Sequence, residues 1–379
     1  MSLYIDLSEF LVNPITTGIQ RISGEICKWA PKGAFTPVRL HNRGFVALPP
    51  ALIAAIVRLF AQPGPERVKE IQRLGAVERG VPVSTSASDT VLVPEVFDNP
   101  DRFKFFRSLD QAEFKRCRFI VYDLLPLTHP EFFHSGATLG LHPYYWLLRS
   151  ATCCGFISDD TRDDYYRRLL RTSERGGVVL PLGSDALGPK PERMALDRPL
   201  TFTVLGTIEP RKNHEMILDA FEPLLRQVDG LRLSFIGKIG WVSNEFADRV
   251  TALAAEPNSG FSFYPVSGDD PIRKCIQESR ATIYVSAAEG YGLPPVESLW
   301  LGTPVIASAM IPSLKRLDSK GIHFVDPLNV VNLRRAVIAF VENEYANRKT
   351  EEIKQLNLPT WQSFTEEVLH WCAEGRSAP

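Results

Sequence analysis

The sequence lacks a long hydrophobic run, an excess of one charge and cysteines with metal-binding spacing. Its longest apolar run, ALIAAIV at 51–57, is far shorter than the roughly 20 residues that span a bilayer. The 43 basic and 44 acidic residues leave a formal net charge of -1, so no global basic field indicates a nucleic-acid partner. These absences predict a soluble protein that binds no nucleic acid.

The six cysteines show no C-x-x-C pair and form no His/Cys cluster with zinc spacing. They stand at positions 27, 117, 153, 154, 275 and 372. This pattern is typical of a reduced protein with buried thiols. The first residues, MSLYIDLSEF, show no secretory signal pattern. We therefore expect a cytoplasmic protein, and association with the inner face of a membrane stays open.

Short apolar strands alternate with amphipathic helices along the chain. In the first half, strands are predicted at LYIDL (3–7), CRFIVYDLLPL (117–127) and GFISDD (155–160). After residue 200 the alternation is more regular and begins with strand LTFTVLG, helix HEMILDAFEPLLRQV and strand LRLSFIG. This pattern predicts an α/β fold with a parallel, doubly wound, Rossmann-like sheet in each half.

Two domains are expected because 379 residues are more than one hydrophobic core usually serves. The stretch LGPKPERMALDRPL (187–200) is rich in proline and charge, has no apolar period and is predicted to be the linker. The first domain is predicted over 1–190 and the second over 191–360, followed by a final helix over 361–379. Ligands of such sheets bind at the carboxyl ends of the strands, in the cleft that two such halves leave.

The stretch AAEGYGLPPVESLWLGTPVIAS (287–308) joins a strand end, a glycine-rich turn and a helix that is predicted to begin near Pro294. Glycines let the backbone approach a bulky anion, so a diphosphate is a suitable ligand for this helix start. Glu289 precedes the turn and Glu297 is placed in the first helical turn, so both can face one ligand. The N–H groups expected to point at that ligand are those of Gly290, Tyr291, Gly292 and Leu293.

Each glutamate also has a simpler interpretation. Glu297 can complement the helix dipole, and Glu289 can be a solvated loop acid. Spacing alone does not decide between these roles and a binding site, because two glutamates eight residues apart are common by chance.

A second motif, VLGTIEPRKNHEMILDAF (204–221), places two cations before a helix. The strand ends at Gly206, and Arg211 and Lys212 precede a helix whose start is marked by Asn213. Two cations at this position can neutralise a diphosphate and stabilise it as a leaving group. The alternative is a solvated basic pair.

Together these motifs resemble the retaining, nucleotide-sugar-dependent glycosyltransferases of the GT-B fold. The resemblance is to the bacterial group related to mannosyltransferases (glycosyltransferase family 4, group 1), whose signature is E-x7-E followed by a helix and G-T-P-V-I. It covers nearly the whole chain. It implies that the 1–190 domain binds the acceptor, that the 191–360 domain binds the nucleotide-sugar donor, and that the final helix, 361–379, packs back on the first domain. It implies that Glu289 contacts hydroxyls of the donor sugar, that Glu297 accepts hydrogen bonds from the ribose, and that Lys212 binds the donor phosphates.

The resemblance also assigns roles in the first half of the chain. It places Gly18, in TTGIQR, in the loop that approaches the donor phosphate and the acceptor. The segment VYDLLPLTHPEFF matches one that usually reads V-H-D, so Tyr122 replaces a histidine that contacts the donor sugar, and Asp123 is kept. Either Asp123 and nearby groups suffice, or His129 reaches the site, or the activity is impaired.

Two further positions depart from the family pattern. Thr207 stands where many members have an arginine directly after the glycine, and Arg211 is predicted to take over that role. Lys315, in IPSLKRL, stands where members often have a glutamate.

The resemblance implies retaining transfer without a metal or a separate cofactor, since the nucleotide sugar, linked to GDP, UDP or dTDP, is a substrate. Mannose from GDP-mannose is the first candidate donor, and base recognition is expected through loop backbone near 263–267. The acceptor is expected to be a saccharide or lipid-linked saccharide of bacterial surface polysaccharide synthesis. The segment DRFKFFRSLDQAEFKRCR (101–118) is either a peripheral membrane contact or an ordinary amphipathic helix.

Three alternatives to a glycosyltransferase stay in view. A dehydrogenase would need a G-x-G-x-x-G after the first strand with an acidic residue behind it, and the sequence has none. A GT-B sugar-nucleotide epimerase shares the fold, although the E-x7-E and K-N motifs fit transfer better. A non-catalytic sugar-nucleotide binder is suggested by Tyr122 in place of the histidine.

Overall fold

The computed structural model describes residues 2–16, 18–42, 44–76, 81–83, 86, 88–133, 135–265 and 268–374. The chain divides into two compact units. Unit 1 is Met1–Leu182 together with Thr360–Pro379, and unit 2 is Gly183–Pro359. The unit boundaries lie at 182/183 and 359/360, beside the predicted domain boundaries at 190/191 and 360/361.

Unit 1 is built on a mostly parallel sheet with helices between its strands. The strands are β1 (Leu3–Asp6), β2 (Thr36–His41), β3 (Gly44–Ala47), β4 (Val81–Pro82), β5 (Thr90–Val93), β6 (Cys117–Val121), β7 (Cys154–Phe156) and β8 (Val178–Val179). The helices are α1 (Ser8–Val12), α2 (Gly18–Trp29), α3 (Ala51–Ala61), α4 (Pro65–Gly75), α5 (Pro100–Ser108), α6 (Gln111–Phe114), α7 (Leu125–Thr128), α8 (Ser135–Leu148) and α9 (Asp159–Asp164), with a π-helical turn at Tyr165–Leu170.

The strand order of unit 1 is β4-β3-β2-β1-β5-β6-β7-β8. Strands β3 and β4 are antiparallel additions at one edge, and the remaining pairs are parallel. The parallel strands read as apolar runs because helices cover both faces of such a sheet. For residues 36–93 the sequence analysis assigns no strand or helix, and this segment supplies β2 to β5 together with α3 and α4.

The basic and aromatic segment 101–118 forms most of α5, all of α6 and the start of β6. Its Phe105 and Phe106 are buried in the core of unit 1, and Phe103 and Phe114 pack against that core. Arg102 is also buried and forms ion pairs with Asp6 and Glu9. The phenylalanines therefore stabilise unit 1, and the amphipathic-helix interpretation describes this segment.

Unit 2 has a parallel sheet over 201–325. Its strands are β9 (Thr201–Leu205), β10 (Arg232–Ile236), β11 (Phe261–Tyr264), β12 (Ala281–Tyr284), β13 (Val305–Ser308) and β14 (Ile322–Val325). Its helices are α10 (His214–Gln227), α11 (Asn244–Ala255), α12 (Asp269–Glu278), α13 (Leu293–Trp300), α14 (Val330–Val341) and α15 (Asn343–Glu352). Helices α14 and α15 are separated by Glu342, whose backbone is extended.

The strand order of unit 2 is β11-β10-β9-β12-β13-β14. The chain places β10 and β11 on one side of β9, then returns to place β12 on the other side, and all these pairs are parallel. The order therefore reverses between β9 and β12. Ligands of doubly wound sheets bind beside the carboxyl ends of the strands at such a reversal.

The predicted linker 187–200 packs against unit 2. Arg198 is buried and donates hydrogen bonds to the carbonyl oxygens of Gln277 (3.0 Å) and Gly302 (2.8 Å). The Trp300 indole donates to the Gly188 carbonyl at 2.9 Å. This segment is therefore part of unit 2 and not a free spacer.

The last helix, α16 (Trp361–Ala373), contacts α2 and β5 of unit 1. Its Trp371 ring lies 5.4 Å from the Arg118 guanidinium carbon. All six cysteines are free thiols, and five of them are buried. Over the described ranges, no helix has both the length and the apolar character needed to cross a membrane.

Candidate functional site

The two sequence motifs of the second half meet at the edge of the unit 2 sheet. One follows β9 and the other follows β12, and these strands are hydrogen-bonded neighbours. The carbonyl oxygen of Arg211 accepts a hydrogen bond from the Ala287 amide at 2.8 Å, which ties the two loops together. The topology thus brings residues far apart in sequence to one place, as the strand-order reversal requires.

Arg211 lies between two carboxylates. Its Nη1 is 2.5 Å from Glu289 Oε2, and its Nη2 is 2.7 Å from Glu209 Oε1. Nη1 also donates to the Ala288 carbonyl at 3.1 Å. Because guanidinium is a planar, multidentate donor, these contacts fix its plane across the two loops.

Glu289 is half-buried and held from both sides. Ser286 Oγ donates to its Oε1 at 2.9 Å, while Arg211 occupies its Oε2. The predicted sugar-contacting carboxylate therefore has a fixed orientation. Ser286 is a residue to which the sequence analysis gives no role, and it stands two residues after β12 and three residues before the motif glutamate.

Lys212 reaches back over the end of β9. Its Nζ is 3.6 Å from Glu209 Oε1, and its side chain is 19% exposed. A Cβ added to Gly206 would lie 2.5 Å from Lys212 Nζ, so the glycine leaves the space that the ammonium occupies. Gly206 also has a φ of +120°, which L side chains rarely adopt.

Glu209 contacts both cations of the basic pair and is only 4% exposed. It is the glutamate of the quoted E-P-R-K-N segment, but the sequence analysis considered only the cations of that segment. The sequence offered one signal for Glu209, which is its position two residues before Arg211 and three residues before Lys212.

The glycine-rich turn is held by the segment after β13. The Ser313 amide donates to the Tyr291 carbonyl at 2.9 Å, and Ser313 Oγ donates to the Gly292 carbonyl at 2.7 Å. Gly292 has a φ of +87°, and a Cβ there would lie 2.5 Å from Ile311 Cγ2. Only glycine fits this position, immediately before α13, and Gly290 and Tyr291 are buried beside it.

Glu297 lies on α13 just beyond the first helical turn, in which the sequence analysis placed it. The helix begins at Leu293, beside the predicted start near Pro294, and no acidic residue stands in its first turn. The dipole interpretation of Glu297 is therefore wrong for this helix start. Its side chain is buried near Tyr284, whose pKa is raised, chiefly by burial and further by the Glu297 carboxylate.

Asn213 does more than mark the start of α10. It has the left-handed φ of 56°, and its side chain makes no helix-cap hydrogen bond. Instead its Nδ2 donates to the carbonyls of Val285 (2.8 Å) and Pro327 (3.0 Å), beyond β12 and β14. The next residue, His214, is buried against Phe235, and burial lowers its pKa to about 3, so the ring is neutral.

Gly18 and Asp123 belong to unit 1. Gly18 is the first residue of α2 and has a φ of +61°. Asp123 follows β6 and accepts a hydrogen bond from the Leu125 amide at 3.1 Å. Unit 2 contains the other nine predicted site residues: Arg211, Lys212, Glu289, Gly206, Gly290, Tyr291, Gly292, Leu293 and Glu297.

Tyr122 does not present a donor at the surface of unit 1. It is buried, and its hydroxyl donates to the Pro94 carbonyl. Burial raises the pKa of this hydroxyl well above its ordinary value. His129, the other candidate in this segment, is half-buried, and its Nδ1 lies 3.2 Å from Glu131 Oε1. Lys315 is exposed and Thr207 is half-buried.

The described part of the chain contains no group of three or more His, Cys, Asp or Glu side chains that could hold a metal ion. The base-recognition prediction includes Val266 and Ser267, which lie outside the described residues. What the unit 2 site offers is two cations, two carboxylates and a helix start preceded by glycines. Such a set can bind an anion and polar hydroxyls together.

Residues 190–356 match the family model described as Glycosyl transferases group 1, and this stretch lies within unit 2. The chain is also similar to the serotype-specific mannosyltransferase WbdA of Escherichia coli. That match is 26% identical over 272 residues, which are 66% of this chain and 33% of WbdA. Another match of that name is 30% identical over 172 residues, 45% of this chain and 20% of the relative. The chain thus spans a third or less of the length of these curated relatives.

Two solved structures match almost the whole chain. Sucrose-phosphate synthase from Thermosynechococcus elongatus has a TM-score of 0.63 at 14% identity, with 97% of each chain covered. A UDP-forming α,α-trehalose-phosphate synthase from Burkholderia xenovorans has a TM-score of 0.61 at 12% identity, with 99% of each covered. At these identities the likeness shows the fold alone, and it confirms the predicted GT-B class.

Proposed function

We propose that the protein is a retaining, metal-independent glycosyltransferase, because residues 190–356 match the family model described as Glycosyl transferases group 1. It moves a hexose from a nucleotide sugar to a saccharide or lipid-linked saccharide. The observation that carries the proposal is the meeting of Arg211, Lys212 and Glu289 beside the glycine-rich turn, at the strand-order reversal of unit 2.

Each part of this site has a task in such a reaction. Arg211, Lys212 and the amides before α13 take the negative charge that develops on the departing diphosphate. Glu289, oriented by Ser286, accepts hydrogen bonds from hydroxyls of the donor sugar. Glu297 accepts hydrogen bonds from the ribose hydroxyls. In this role its negative charge stays away from the diphosphate, which it would repel.

Retention requires the acceptor hydroxyl to attack on the face that the diphosphate leaves. The bond between the anomeric carbon and the phosphate oxygen breaks, and the bond to the acceptor oxygen forms. The proton of the acceptor hydroxyl passes to the departing phosphate oxygen, so this step needs no separate general base.

Mannose from GDP-mannose is the first donor proposed, because the similar Escherichia coli protein is named a mannosyltransferase. Its description as serotype-specific favours an acceptor in bacterial surface polysaccharide synthesis. The phenylalanines of 101–118 pack in or against the core of unit 1 and are not available to a membrane. In this proposal, a membrane contact of this segment would be made by its exposed basic side chains, such as Lys104 and Arg107.

One observation favours a second candidate, a non-catalytic or degenerate sugar-nucleotide binder. Tyr122 replaces a histidine of the family pattern, and its hydroxyl is engaged in the core by the Pro94 carbonyl. Slow hydrolysis of the donor without an acceptor would separate an enzyme from such a binder.

The test is a binding and hydrolysis screen of the purified protein against GDP-, UDP-, dTDP- and ADP-sugars, run beside Glu297→Ala. We expect one nucleotide sugar to bind and to be hydrolysed slowly, and the variant to lose affinity for it. If none binds and the variant behaves identically, the glutamates have no donor-binding role and the proposal fails. Binding without any hydrolysis would select the second candidate.

A further inference from the structure

We propose that Glu209 sets the charge of the diphosphate subsite, so that a nucleoside diphosphate is bound weakly enough to leave after transfer. In this role Glu209 is a positioning residue that acts through Arg211 and Lys212. The inference rests on the proposed function, because it assumes that these two cations meet the diphosphate.

The geometry gives Glu209 access to both cations. A single oxygen, Oε1, lies 2.7 Å from Arg211 Nη2 and 3.6 Å from Lys212 Nζ. The carboxylate is buried, so solvent screens these interactions less than it would on an open surface. A charge that is buried beside two cations must change their attraction for any other anion.

A helix-capping role does not account for this side chain. Glu209 precedes the single 3₁₀ turn Pro210–Lys212 and makes no side-chain cap hydrogen bond there. The turn is closed instead by its backbone carbonyl, which accepts from the Lys212 amide at 3.1 Å. The carboxylate is therefore directed at the cations and not at the backbone of the turn.

The formal charges at this site cancel before a ligand arrives. Arg211 and Lys212 contribute two positive charges, and Glu209 and Glu289 contribute two negative charges. A diphosphate competes with both carboxylates for the same guanidinium edges. Diphosphate binding therefore breaks the Arg211–Glu289 ion pair and leaves Glu289 available to the donor sugar. When the diphosphate departs, Glu209 attracts both cations again.

This arrangement predicts an effect of unusual sign. Glu209→Gln keeps the shape and one hydrogen-bond acceptor but removes the opposing charge. We expect the variant to bind nucleoside diphosphate about three- to tenfold more tightly, as loss of one partly screened like charge allows. We expect kcat to fall because product release slows, while KM for the donor falls as well. A purely structural role would weaken binding or leave it unchanged.

The experiment is calorimetric titration of GDP, UDP, dTDP and ADP into wild type, Glu209→Gln, Glu209→Asp and Lys212→Ala. Glu215→Gln is the matched control, because it removes one exposed carboxylate near the same turn without touching either cation. Glu209→Asp withdraws the charge by one methylene, and its affinity should lie between wild type and Glu209→Gln. Glu209→Asp also tests the inference if Glu209→Gln does not fold.

Tighter binding in the Glu209 variants, with unchanged affinity in Glu215→Gln and weaker affinity in Lys212→Ala, supports the inference. If Lys212→Ala weakens binding but neither Glu209 variant tightens it, the inference fails and the proposed function stands. If wild type binds none of the four nucleotides, the proposed function fails.

Discussion

Arg211 Nη1 lies 2.5 Å from Glu289 Oε2 and joins the loop after β9 to the loop after β12. This pair exists because the two strands are neighbours in the sheet although they are far apart in the chain. It turns two separate sequence motifs into one site.

Lys212→Ala and Glu289→Ala should each reduce sugar transfer by about 10²–10³-fold, the effect of removing one preorganised charged group from a transfer site. Both side chains are partly exposed, so the thermal midpoint should change little. Transfer and donor hydrolysis rates are the measurement, and Glu215→Ala is the control. Near-normal rates in either variant would remove that residue from the catalytic set.

Gly206→Ala should weaken nucleoside diphosphate binding as well as stability. The added Cβ would lie 2.5 Å from Lys212 Nζ, and the φ of +120° strains any other residue. Gly230→Ala is the matched control, because Gly230 also has a positive φ (+73°) but open space around its Cβ. Both should lose about 1–3 kcal/mol of stability in chemical denaturation. Only Gly206→Ala should lose affinity in titration, and equal affinities would contradict the role given to Gly206.

Tyr122→Phe should lower stability without lowering transfer by the folded protein. Removal of the hydroxyl leaves the buried Pro94 carbonyl without this donor, which costs about 1–3 kcal/mol. Denaturation midpoints and kcat per folded molecule are the two measurements. A large fall in kcat at unchanged stability would show instead that Tyr122 takes the place of the family histidine in the site.

Glu95→Gln should flatten the pH dependence of stability. Glu95 is buried in unit 1, where burial and the nearby Asp6 charge raise its pKa from 4.5 to about 8 although Ser23 donates to it. Between these values the folded state holds a proton that the unfolded state has released, so stability falls as pH rises. The contribution is fully present below pH 4.5 and is lost as pH rises through about 8.

The measurement is the denaturation midpoint of wild type and Glu95→Gln at several pH values between 4.5 and 8.5. The free energy of unfolding of Glu95→Gln should exceed that of wild type by an amount that grows with pH, to about 2–5 kcal/mol. Glu174→Gln, which changes an exposed acid of unit 1, should keep the wild-type slope. Parallel curves for wild type and Glu95→Gln would contradict a protonated Glu95.

Much of unit 2 could be predicted, because most of its strands are short apolar runs followed by a turn and an amphipathic helix. Less of unit 1 could be predicted from the sequence. The segment between 36 and 93 supplies an antiparallel sheet edge from two short strands, Gly44–Ala47 and Val81–Pro82, and runs this short show little local periodicity. The aromatic segment 101–118 carried an ambiguous pattern, since the same phenylalanines suit a membrane surface or a protein core.

The sequence by itself determined the alternation of strands and helices, the position of the glycine turn and the residues of the two motifs, because these depend on side-chain type and local spacing. Only the tertiary structure decided that Arg211 contacts Glu289, that Glu209 contacts both cations, and that Tyr122 donates into the core. These relationships depend on strand order and burial. They arise from packing between distant segments, which local sequence does not encode in a readable pattern.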